Sequence, residues 1–531
     1  MKGSAPQELI CVPQEVSGAP KFENNTWRES LPNDTSVPSL FDERYRPQLH
    51  FSAPRHWLSD PNGLVWHDGL YHLFFQHNPE GNDWGNMHWG HAVSRDLVHW
   101  QHRPVAVQAD PWCSGFAFSG CVVVDHQNSS GLAAGNAAPM IALYTGATIE
   151  GVQSQCISFS LDGGDTWTQY DGNPVLANPG IHDFRDPKVF WNPDREEWVM
   201  ILAVGDRLDL YVSENLLDWQ HVSEFRCSIE DAGDVLECPD LFPLESTNGE
   251  THWVLVVSAT NQTHHKDRPT RYFIGEFDGR QFDAYDGASR WIDYGPDNYA
   301  SVTWSNIPAE DGRRLAIGWM SNWRYAREAP TYPWRGHMTI PRELFLAEDN
   351  DGHRLASRPV AELENLRQEN LCLDYARADS EAARTFFTEL PAELLDLQLE
   401  FRWHGSTPSP FGVEFSNETG DVAKIFADVA NGVLVVDRTR VGQCIPSRQY
   451  ARKFEAPLCS NGSSLDLRIV KDRASVEVFE GDSGAAVSAN LFFDKPFDSI
   501  SVLGSSKVEI RGEASILKSI WTDAGEWNSH V

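Results

Sequence analysis

Short runs of alternating apolar and polar residues dominate the chain from Tyr45 to about Arg342. Two clear examples are residues 70–75 and 198–202, and Gly, Asn and Asp turn residues separate such runs. The pattern predicts short antiparallel strands and an all-β fold. No long amphipathic helical pattern interrupts these strands. The best short helix covers residues 361–366 after a proline and is expected in a connector.

A weak internal repeat runs through the same region. Residues 94–100, 160–167 and 213–219 each follow a strand-like run and share a Ser, an acidic or amide turn and a closing Trp. A degenerate copy covers 275–282, and 304–342 holds enough strand-like sequence for a further unit. This spacing is typical of β-propeller blades. We therefore interpret the acids of the repeat, Asp96, Asp162 and Asp218, as turn residues.

Beyond about residue 372, alternating runs such as 397–401, 433–436 and 465–470 predict a separate antiparallel β-sandwich. The predicted organisation is an N-terminal tail (1–41), a catalytic β-propeller (42–348), a connector (349–371) and the β-sandwich (372–531). The sandwich has no comparable cluster of candidate acids. We expect it to support the propeller or to contact long substrates or another subunit, so that a homodimer through it stays open.

Three acids stand at similar places beside prolines. Asp60 lies in Trp-Leu-Ser-Asp-Pro-Asn-Gly (57–63), Asp186 in Arg-Asp-Pro (185–187) and Glu237 in Glu-Cys-Pro (237–239). Taken alone, an acid before Pro is an ordinary turn residue. The first strands of successive blades surround a common channel. Acids at the starts of such strands are therefore expected to point toward one another and form one site.

Further motifs lie between and after these acids, in a characteristic order along the chain. They are Phe-Phe-Gln (74–76), Trp-Gly-Asn (84–86), Trp-Gly-His (89–91), Phe-Ser-Gly (118–120), Tyr-Ala (299–300), Gly-Trp-Met (318–320), Pro-Arg (341–342) and Ser-Val-Glu-Val-Phe (475–479). Together with the acids, they resemble glycoside hydrolase family 32, the invertases, inulinases and levanases. The resemblance covers nearly everything after residue 42. It implies a five-bladed β-propeller followed by a β-sandwich, acting on β-fructofuranosides.

The resemblance also implies roles for residues of this chain. Asp60 resembles the nucleophile, Asp186 the transition-state stabiliser and Glu237 the general acid/base. Positions that match the fructose pocket or could line its wall are Asn62, Gln76, Trp84, Phe118, Ser119, Tyr299 and Trp319, and Arg185 is expected to keep neighbouring carboxylates ionised. If the reaction retains configuration, the carboxyl groups of Asp60 and Glu237 should lie about 5 to 5.5 Å apart. Among clustered acids, we expect Glu237 to hold the shared proton.

Two positions are expected to modulate the site. Ser59 stands where the usual invertase pattern has Asn, and Ser at this place also occurs in fructan-synthesising members. Cys238, next to the proposed acid, is a candidate buried thiol in a chain with nine cysteines. Three functions stay open: hydrolysis of sucrose, inulin or levan, fructosyl transfer to a sugar hydroxyl, and non-catalytic fructan binding. The intact set of three acids argues against the last.

Composition and charge limit the classes of molecule that the protein is expected to bind. A chain of 531 residues with 20 Trp can bury more than one core, and its net charge of -33 argues against nucleic acid or an anionic membrane and favours a neutral substrate. We expect no cofactor. His88 and His91 lie three apart but lack a Cys pair or a His-Glu-X-X-His pattern, so no metal is expected there.

The N-terminus has no apolar signal-peptide core, and no run is long enough to span a membrane. If Met1 is the native start, this predicts a cytoplasmic protein. If a signal segment has been removed, the protein is extracellular, and six Asn-X-Ser/Thr sequences are compatible with that alternative.

Overall fold

The strands of the described residues form seven sheets, five of them in the first two thirds of the chain. The computed structural model describes residues 41–521, except 111–114, 136, 228–234, 261–269, 350–351, 443–444, 446, 460–461 and 482–483. The predicted tail, apart from Phe41, therefore lies outside the described residues. All pairings described below are antiparallel unless stated otherwise.

The first five sheets follow one another along the chain. The first contains β1 (His56–His67), β2 (Leu70–Asn78), β3 (His88–Ser94) and β4 (Gln101–Val107). The second contains β5 (Phe116–Val124), β6 (Met140–Ala147), β7 (Gln153–Ser160) and β8 (Thr168–Gln169). The third contains β9 (Phe184–Asn192), β10 (Glu197–Val204), β11 (Arg207–Ser213) and β12 (Gln220–Arg226). The fourth contains β13 (Val235–Glu245), β14 (Thr251–Thr260), β15 (Thr270–Phe277), β16 (Phe282–Ala284) and β17 (Arg290–Trp291). The fifth contains β18 (Tyr299–Thr303), β19 (Arg314–Trp319), β21 (Arg342–Asp349) and β22 (Gly352–Pro359).

The first strands of these sheets form a ring. Each of β1, β5, β9, β13 and β18 contacts the next, and β18 contacts β1 again. The short strand β20 (Trp334–Arg335) also returns to the first sheet, where it pairs in parallel with His56 and Trp57 of β1. The arrangement is a β-propeller, and its five sheets agree with the five blades that were predicted.

The internal repeat corresponds to one recurring turn after the third strand of a sheet. The Ser hydroxyl donates to the turn acid or amide in all three copies: Ser94 to Asp96 (3.1 Å), Ser160 to Asp162 (2.8 Å) and Ser213 to Asn215 (3.2 Å). The indole of the closing Trp, at 100, 167 or 219, donates to a carbonyl three residues earlier. These turns explain why the repeat has this composition. In the third copy Asn215 takes the position of the turn acid, and Asp218 instead accepts a hydrogen bond from Asn215.

The last two sheets pack face to face as the predicted sandwich. One has six strands: β23 (Arg367–Arg377), β24 (Leu395–Trp403), β29 (Ser464–Asp472), β30 (Ser475–Glu480), β31 (Ala486–Asn490) and β33 (Val508–Leu517). The other has five: β25 (Phe411–Ser416), β26 (Val422–Asp428), β27 (Val433–Arg440), β28 (Lys453–Pro457) and β32 (Ser499–Leu503). Their shared core includes Leu397 and Ile469 from the first of these sheets and Val413 and Ile425 from the second.

Helical structure is sparse in the described ranges. Short 3₁₀ helices cover Ala326–Glu328 and Ala361–Leu366, the second where the short helix was predicted. An α-helix, Glu381–Glu389, was not predicted; the Ser380 hydroxyl caps it by accepting from the Ala383 amide at 3.2 Å, and Phe386 and Phe387 are buried. In the part of the chain that the structure describes, no helix is long and apolar enough to cross a membrane.

The predicted connector, 349–371, needs correction. Strand β22 lies inside it and pairs along its full length with β21 of the fifth propeller sheet. The first part of the predicted connector therefore belongs to the propeller, and only the part around the short helix joins the two domains. The passage from propeller to sandwich is the 3₁₀ helix Ala361–Leu366, where Val360, Leu363 and Leu366 are buried.

A buried ionic network joins the propeller to the sandwich, and His50 is at its centre. His50 Nδ1 lies 2.7 Å from Asp472, and its Nε2 lies 2.9 Å from Glu477; all three side chains are inaccessible to solvent. Arg342 of the propeller donates to the same Glu477 and, at 2.8 Å, to Asp293. His50 and Arg342 of the propeller are therefore both paired with buried carboxylates of the sandwich across the interface.

A second buried pair lies on the same interface. Arg438 of the sandwich donates at 2.8 Å to Asp297 of the propeller and at 2.8 Å to the hydroxyl of Tyr325. Tyr325 in turn donates to Asp297 at 2.5 Å. The two domains are thus held together by buried polar contacts as well as by apolar packing.

Candidate active site

Each of the five innermost strands loses its regular pairing at the same level of the propeller. The interruptions lie between Leu58 and Pro61 in β1, Ala117 and Gly120 in β5, Arg185 and Lys188 in β9, Glu237 and Asp240 in β13, and Tyr299 and Val302 in β18. Three of them contain a proline, which has no N–H to donate and is accommodated in strands at such bulges. Asp186, Cys238 and Ala300 adopt positive φ angles of 65°, 49° and 53° there. These irregularities turn selected side chains toward the common centre.

The three acids predicted from the sequence come together at this centre. Asp60 accepts a hydrogen bond from Ser119 at 3.0 Å, and Asp186 accepts one from the backbone N–H of Cys238 at 3.0 Å. The Cys238 sulfur lies 3.6 Å from Asp186 and 3.9 Å from Asp60. The predicted buried thiol therefore lies between the two carboxylates.

Glu237 is held by two neighbours on opposite oxygens. Arg185 donates to its Oε1 from Nε at 3.2 Å and from Nη2 at 2.9 Å, and the Tyr299 hydroxyl donates to its Oε2. Arg185 also donates to Asp183. Its guanidinium therefore places a positive charge directly on Glu237 and beside the carboxylate cluster.

The cluster raises the pKa of two of its members. Burial, with the negative charges of Glu237 and Asp186 adding to it, raises the pKa of Asp60 to about 7. Burial and Glu237 raise the pKa of Asp186 to about 6, although Arg185 opposes that rise. The expectation that Glu237 holds the shared proton stays a prediction. Arg185 contacts Glu237 directly, whereas the side-chain partners of the Asp60 carboxylate are the uncharged hydroxyl of Ser119 and thiol of Cys238.

Two protonated donors complete the centre. Burial and the neighbouring carboxylates hold the pKa of the Cys238 thiol well above its ordinary value, and the same causes act on the Tyr299 phenol. Both groups therefore keep their protons at neutral pH. Each can donate to a carboxylate but cannot itself serve as an anionic nucleophile.

Two predicted pocket residues, Asn62 of β1 and Gln76 of β2, bind each other. Asn62 is fully buried, and with its amide oriented so that both atoms have partners, its oxygen accepts from Gln76 N at 3.1 Å and from Gln76 Nε2 at 2.9 Å. Gln76 Nε2 also donates to Ala117 O at 3.0 Å. The two amides therefore link the first and second sheets beside Asp60.

Aromatic residues form two groups around the acids. Trp84, which is 41% exposed, packs against Phe118 with ring centroids 5.9 Å apart. Tyr299 and Trp319 pack edge to face at 6.1 Å, and both also contact Trp323. The second group is buried and continues to Trp57. Trp84 and Phe118 therefore offer an accessible ring surface, whereas Trp319 lies behind Tyr299 as support.

Ser59 is part of that support. It is fully buried, and its hydroxyl accepts a hydrogen bond from the Trp57 indole at 3.0 Å. Any influence of Ser59 on the reaction would pass through Trp57 and its neighbours. Its modulating role remains a prediction.

Several residues at the centre were missed by sequence reasoning. Thr145 of the second sheet holds the backbone of one acid, because its Oγ1 accepts the backbone N–H of Asp186 at 2.9 Å. Deeper in the channel, Lys188 donates to Asp240 at 2.9 Å and to Thr303 O at 2.7 Å. The sequence marks Asp183, Asp240 and Lys188 only as charged neighbours of the Pro motifs, and Thr145 carries no signal of its own.

The histidines near the first sheet make protein contacts. His91 lies 3.0 Å from His72, His88 lies 2.8 Å from Asn86 O, and His77 lies 2.7 Å from Trp57 O. Burial lowers the pKa of His77 to about 4 and that of His72 to about 3. These imidazoles are neutral at physiological pH and pack within and beside the strands of the propeller.

Comparison with known proteins agrees with this geometry. The family model described as the N-terminal domain of glycosyl hydrolases family 32 matches residues 50–359, and the model described as the C-terminal domain of that family matches residues 362–519. A levanase of Bacillus subtilis is 42% identical over 472 residues, covering 87% of this chain and 68% of that protein. An extracellular exo-inulinase of Aspergillus niger is 36% identical over 521 residues, covering 91% and 96%. The crystal structure of an exo-inulinase from Aspergillus awamori superposes with a TM-score of 0.80 at 32% identity, covering 91% of this chain and all of that one.

A propeller with three carboxylates at its centre and a C-terminal sandwich defines a glycoside hydrolase. The chain belongs to glycosyl hydrolase family 32, because the two family models together match most of its length. The relatives above are named as a levanase and an exo-inulinase, which are hydrolases. The fructosyltransferase and non-catalytic alternatives are therefore not favoured.

Proposed function

We propose that this enzyme hydrolyses the terminal β-fructofuranosyl residue of sucrose and of fructans such as levan and inulin, with retention of configuration. The observation that carries the proposal is the convergence of Asp60, Asp186 and Glu237 around Cys238, Arg185 and Tyr299. The names of the levanase and exo-inulinase relatives support the choice of fructans.

In the proposed mechanism, Asp60 attacks the anomeric carbon of the fructosyl ring while Glu237 protonates the departing oxygen. A covalent bond forms between fructose and Asp60 as the glycosidic bond breaks. Glu237, now ionised, takes a proton from water, and the resulting hydroxide displaces Asp60 and releases fructose. Asp186 accepts hydrogen bonds from sugar hydroxyls, which strengthen as positive charge develops on the ring.

The free-enzyme protonation state has a consequence for this mechanism. Because the pKa of Asp60 is raised to about 7, part of the free enzyme at neutral pH has a protonated Asp60 and cannot begin the reaction. Hydrogen bonds from bound sugar hydroxyls favour the ionised carboxylate. In our proposal, substrate binding therefore ionises Asp60 and prepares it for attack.

The decisive experiment is a time course of products from sucrose, levan and inulin. We expect equal glucose and fructose from sucrose, and free fructose without intermediate oligomers from the two polymers. Excess glucose with growing oligosaccharides would replace the proposal with transfer, and early release of larger fragments would replace terminal with internal cleavage. An Asp171→Asn variant, at an exposed turn, serves as the matched control and should behave as the unmodified enzyme.

The role of Glu237 predicts a dependence on the leaving group. Glu237→Ala should reduce turnover of sucrose about 10² to 10⁴-fold, since positioned general acids are typically worth that much. A fructoside with an acidic phenol as its leaving group should be affected less in its first step, because the phenolate departs without a proton. Steady-state rates on both substrates test this. Equal losses on the two substrates would remove Glu237 from the role of acid.

A further inference from the structure

A cluster of metal-ligand side chains lies away from the three acids. Glu250 directly precedes strand β14 of the fourth sheet, His252 lies at the start of that strand, and His353 lies in β22 of the fifth sheet. One possible ligand atom from each of the three lies within 4.8 Å of the other two. In the described ranges, these three residues are the group that has this geometry. The cluster bridges two successive propeller sheets.

His252 is oriented so that one nitrogen faces the cluster. Its side chain is 8% exposed, and its Nδ1 lies 2.8 Å from the Tyr285 hydroxyl. Its Nε2 lies 4.0 Å from Glu250 Oε2 and has no hydrogen-bond partner among the described residues. Metal-binding histidines commonly have their second nitrogen fixed by such a hydrogen bond. The Tyr285 contact therefore fixes the ring with Nε2 directed at the cluster.

His353 and Glu250 complete the arrangement. The two imidazole centroids are 4.4 Å apart, and within the described chain the buried Nδ1 of His353 also lacks a hydrogen-bond partner. Glu250 Oε2 accepts from Asn248 Nδ2 at 3.0 Å, while the Glu250 N–H donates to Asn248 Oδ1 at 3.0 Å. Glu250 is exposed, but this turn holds its carboxylate beside the rings.

We propose that Glu250, His252 and His353 bind one divalent transition-metal ion, with zinc the preferred ion. Two imidazole nitrogens and a carboxylate oxygen are typical zinc ligands, at about 2.0 to 2.2 Å, and water can supply the fourth position. Magnesium and calcium prefer an all-oxygen set, which this site does not provide. Ligand atoms 4.8 Å or less apart need to approach by only a fraction of that distance to share one ion.

The place of the site in the fold indicates a structural role. Glu237 pairs with Ser258 of β14, and His252 lies six residues along the same strand, about 20 Å away at the usual rise of a β-strand. An ion there would not reach the fructosyl group. It would instead link the fourth and fifth sheets and stabilise the folded propeller by binding it in preference to the unfolded chain.

The test is zinc binding to the full chain by titration calorimetry, after removal of metals with a chelator. We expect saturable binding of one ZnCl₂ per chain at this site, a loss of at least tenfold in its affinity in His353→Ala and His252→Ala, and a smaller loss in Glu250→Gln. His221→Ala, an exposed histidine on β12, is the matched control and should bind as the unmodified chain does. MgCl₂ should not compete.

Thermal unfolding provides the second measurement. Zinc should raise the melting temperature of the unmodified chain and of His221→Ala, and this rise should disappear in His353→Ala. Sucrose turnover checks that each variant is folded, because none of these residues touches the three acids. If His353→Ala fails to fold, zinc binding by Glu250→Gln tests the site instead, because this change keeps the shape of an exposed side chain and removes its charge. Zinc binding unaffected by Glu250→Gln and the histidine variants, or no saturable binding at ~100 µM zinc, would overturn the proposal.

Discussion

Replacing Asp60 by Asn should reduce sucrose turnover by about 10⁴-fold or more, the order of loss seen when an enzyme loses its nucleophile. The same substitution should raise the melting temperature at pH 8. The first effect follows because an amide cannot form the covalent fructosyl-enzyme. The second follows from the electrostatic environment of Asp60, which is unfavourable to a negative charge.

The stability effect has a definite sign and pH range. Burial, Glu237 and Asp186 raise the pKa of Asp60 from its ordinary 3.8 to about 7 in the folded enzyme. Between these two values, the folded state binds a proton that the unfolded state has released, so this group makes the fold less stable as pH rises. The full penalty above pH 7 corresponds to at most about 4 kcal/mol. Asp60→Asn removes it.

Thermal unfolding of both forms at pH 4 and pH 8 measures the effect. The melting temperatures should differ little at pH 4, where Asp60 is protonated in the folded state, and should differ most at pH 8, with Asp60→Asn the more stable. Asp171→Asn, a matched change at an exposed turn, should show neither the activity loss nor the pH-dependent gain. A folded Asp60→Asn with near-normal turnover would contradict the assignment of the nucleophile. The electrostatic account would be contradicted if the stability of Asp60→Asn relative to the unmodified chain were lower at pH 8 than at pH 4.

His50→Gln should destabilise the enzyme by roughly 3 to 5 kcal/mol near pH 6, the usual cost of leaving a buried ionic partner uncompensated. His50 lies between Asp472 and Glu477 with all three side chains inaccessible. Burial opposes the charge on His50, but the hydrogen bonds that its imidazolium donates to these two carboxylates outweigh burial and raise its pKa to about 9. Gln can keep a hydrogen bond but supplies no charge.

The pH range of this stabilisation follows from the two linked groups. For His50, the contribution is complete below its unfolded value of 6.5 and is lost as pH rises through about 9. For Asp472, whose pKa is lowered to about 2 mainly by hydrogen bonds that outweigh burial, the contribution is present above 3.8 and is lost as pH falls through 2. Both contributions are therefore complete between about pH 4 and 6.5.

Denaturant unfolding at pH 6 and pH 10 tests this prediction. The free energy of unfolding of His50→Gln should fall well below that of the unmodified chain at pH 6, and the two should approach each other at pH 10. His404→Gln is the matched control, because that histidine is largely exposed on the sandwich. A similar loss at both pH values would mean that His50 acts through packing and not through its charge.

The sequence was informative wherever local chemistry interrupts a regular pattern. Prolines beside Asp60, Asp186 and Glu237 are unusual in strands, and the bulges at these places explain why the motifs mark the site. The Ser-to-Trp repeat likewise corresponds to turns with their own internal hydrogen bonds. These features depend on neighbours close in sequence, so a single chain displays them.

Features that depend on distant neighbours were not predictable in this way. Glu477 lies in an alternating strand motif, yet its partners His50 and Arg342 lie 427 and 135 residues away. The contact between Arg185 and Glu237 spans 52 residues and was likewise not predictable. His252 and His353 belong to different sheets, and nothing in either local sequence indicates that they meet. The helix Glu381–Glu389 was missed for a different reason. Its Ser380 cap is a local signal, but strand-like sequence on both sides led us to predict only strands in this region.

The contact between His50 and Asp472 cannot form until most of the chain has been synthesised. The two residues are 422 positions apart. At translation rates of about 5 to 20 residues per second, His50 emerges roughly 20 to 80 s before its partner is made. Between the synthesis of Arg342 and that of the sandwich strands, the nascent propeller presents an uncovered face on which His50, Asp293, Asp297 and Arg342 lack their sandwich partners. The last stretch of translation, and not the making of the blades, therefore decides when the enzyme can reach its final form.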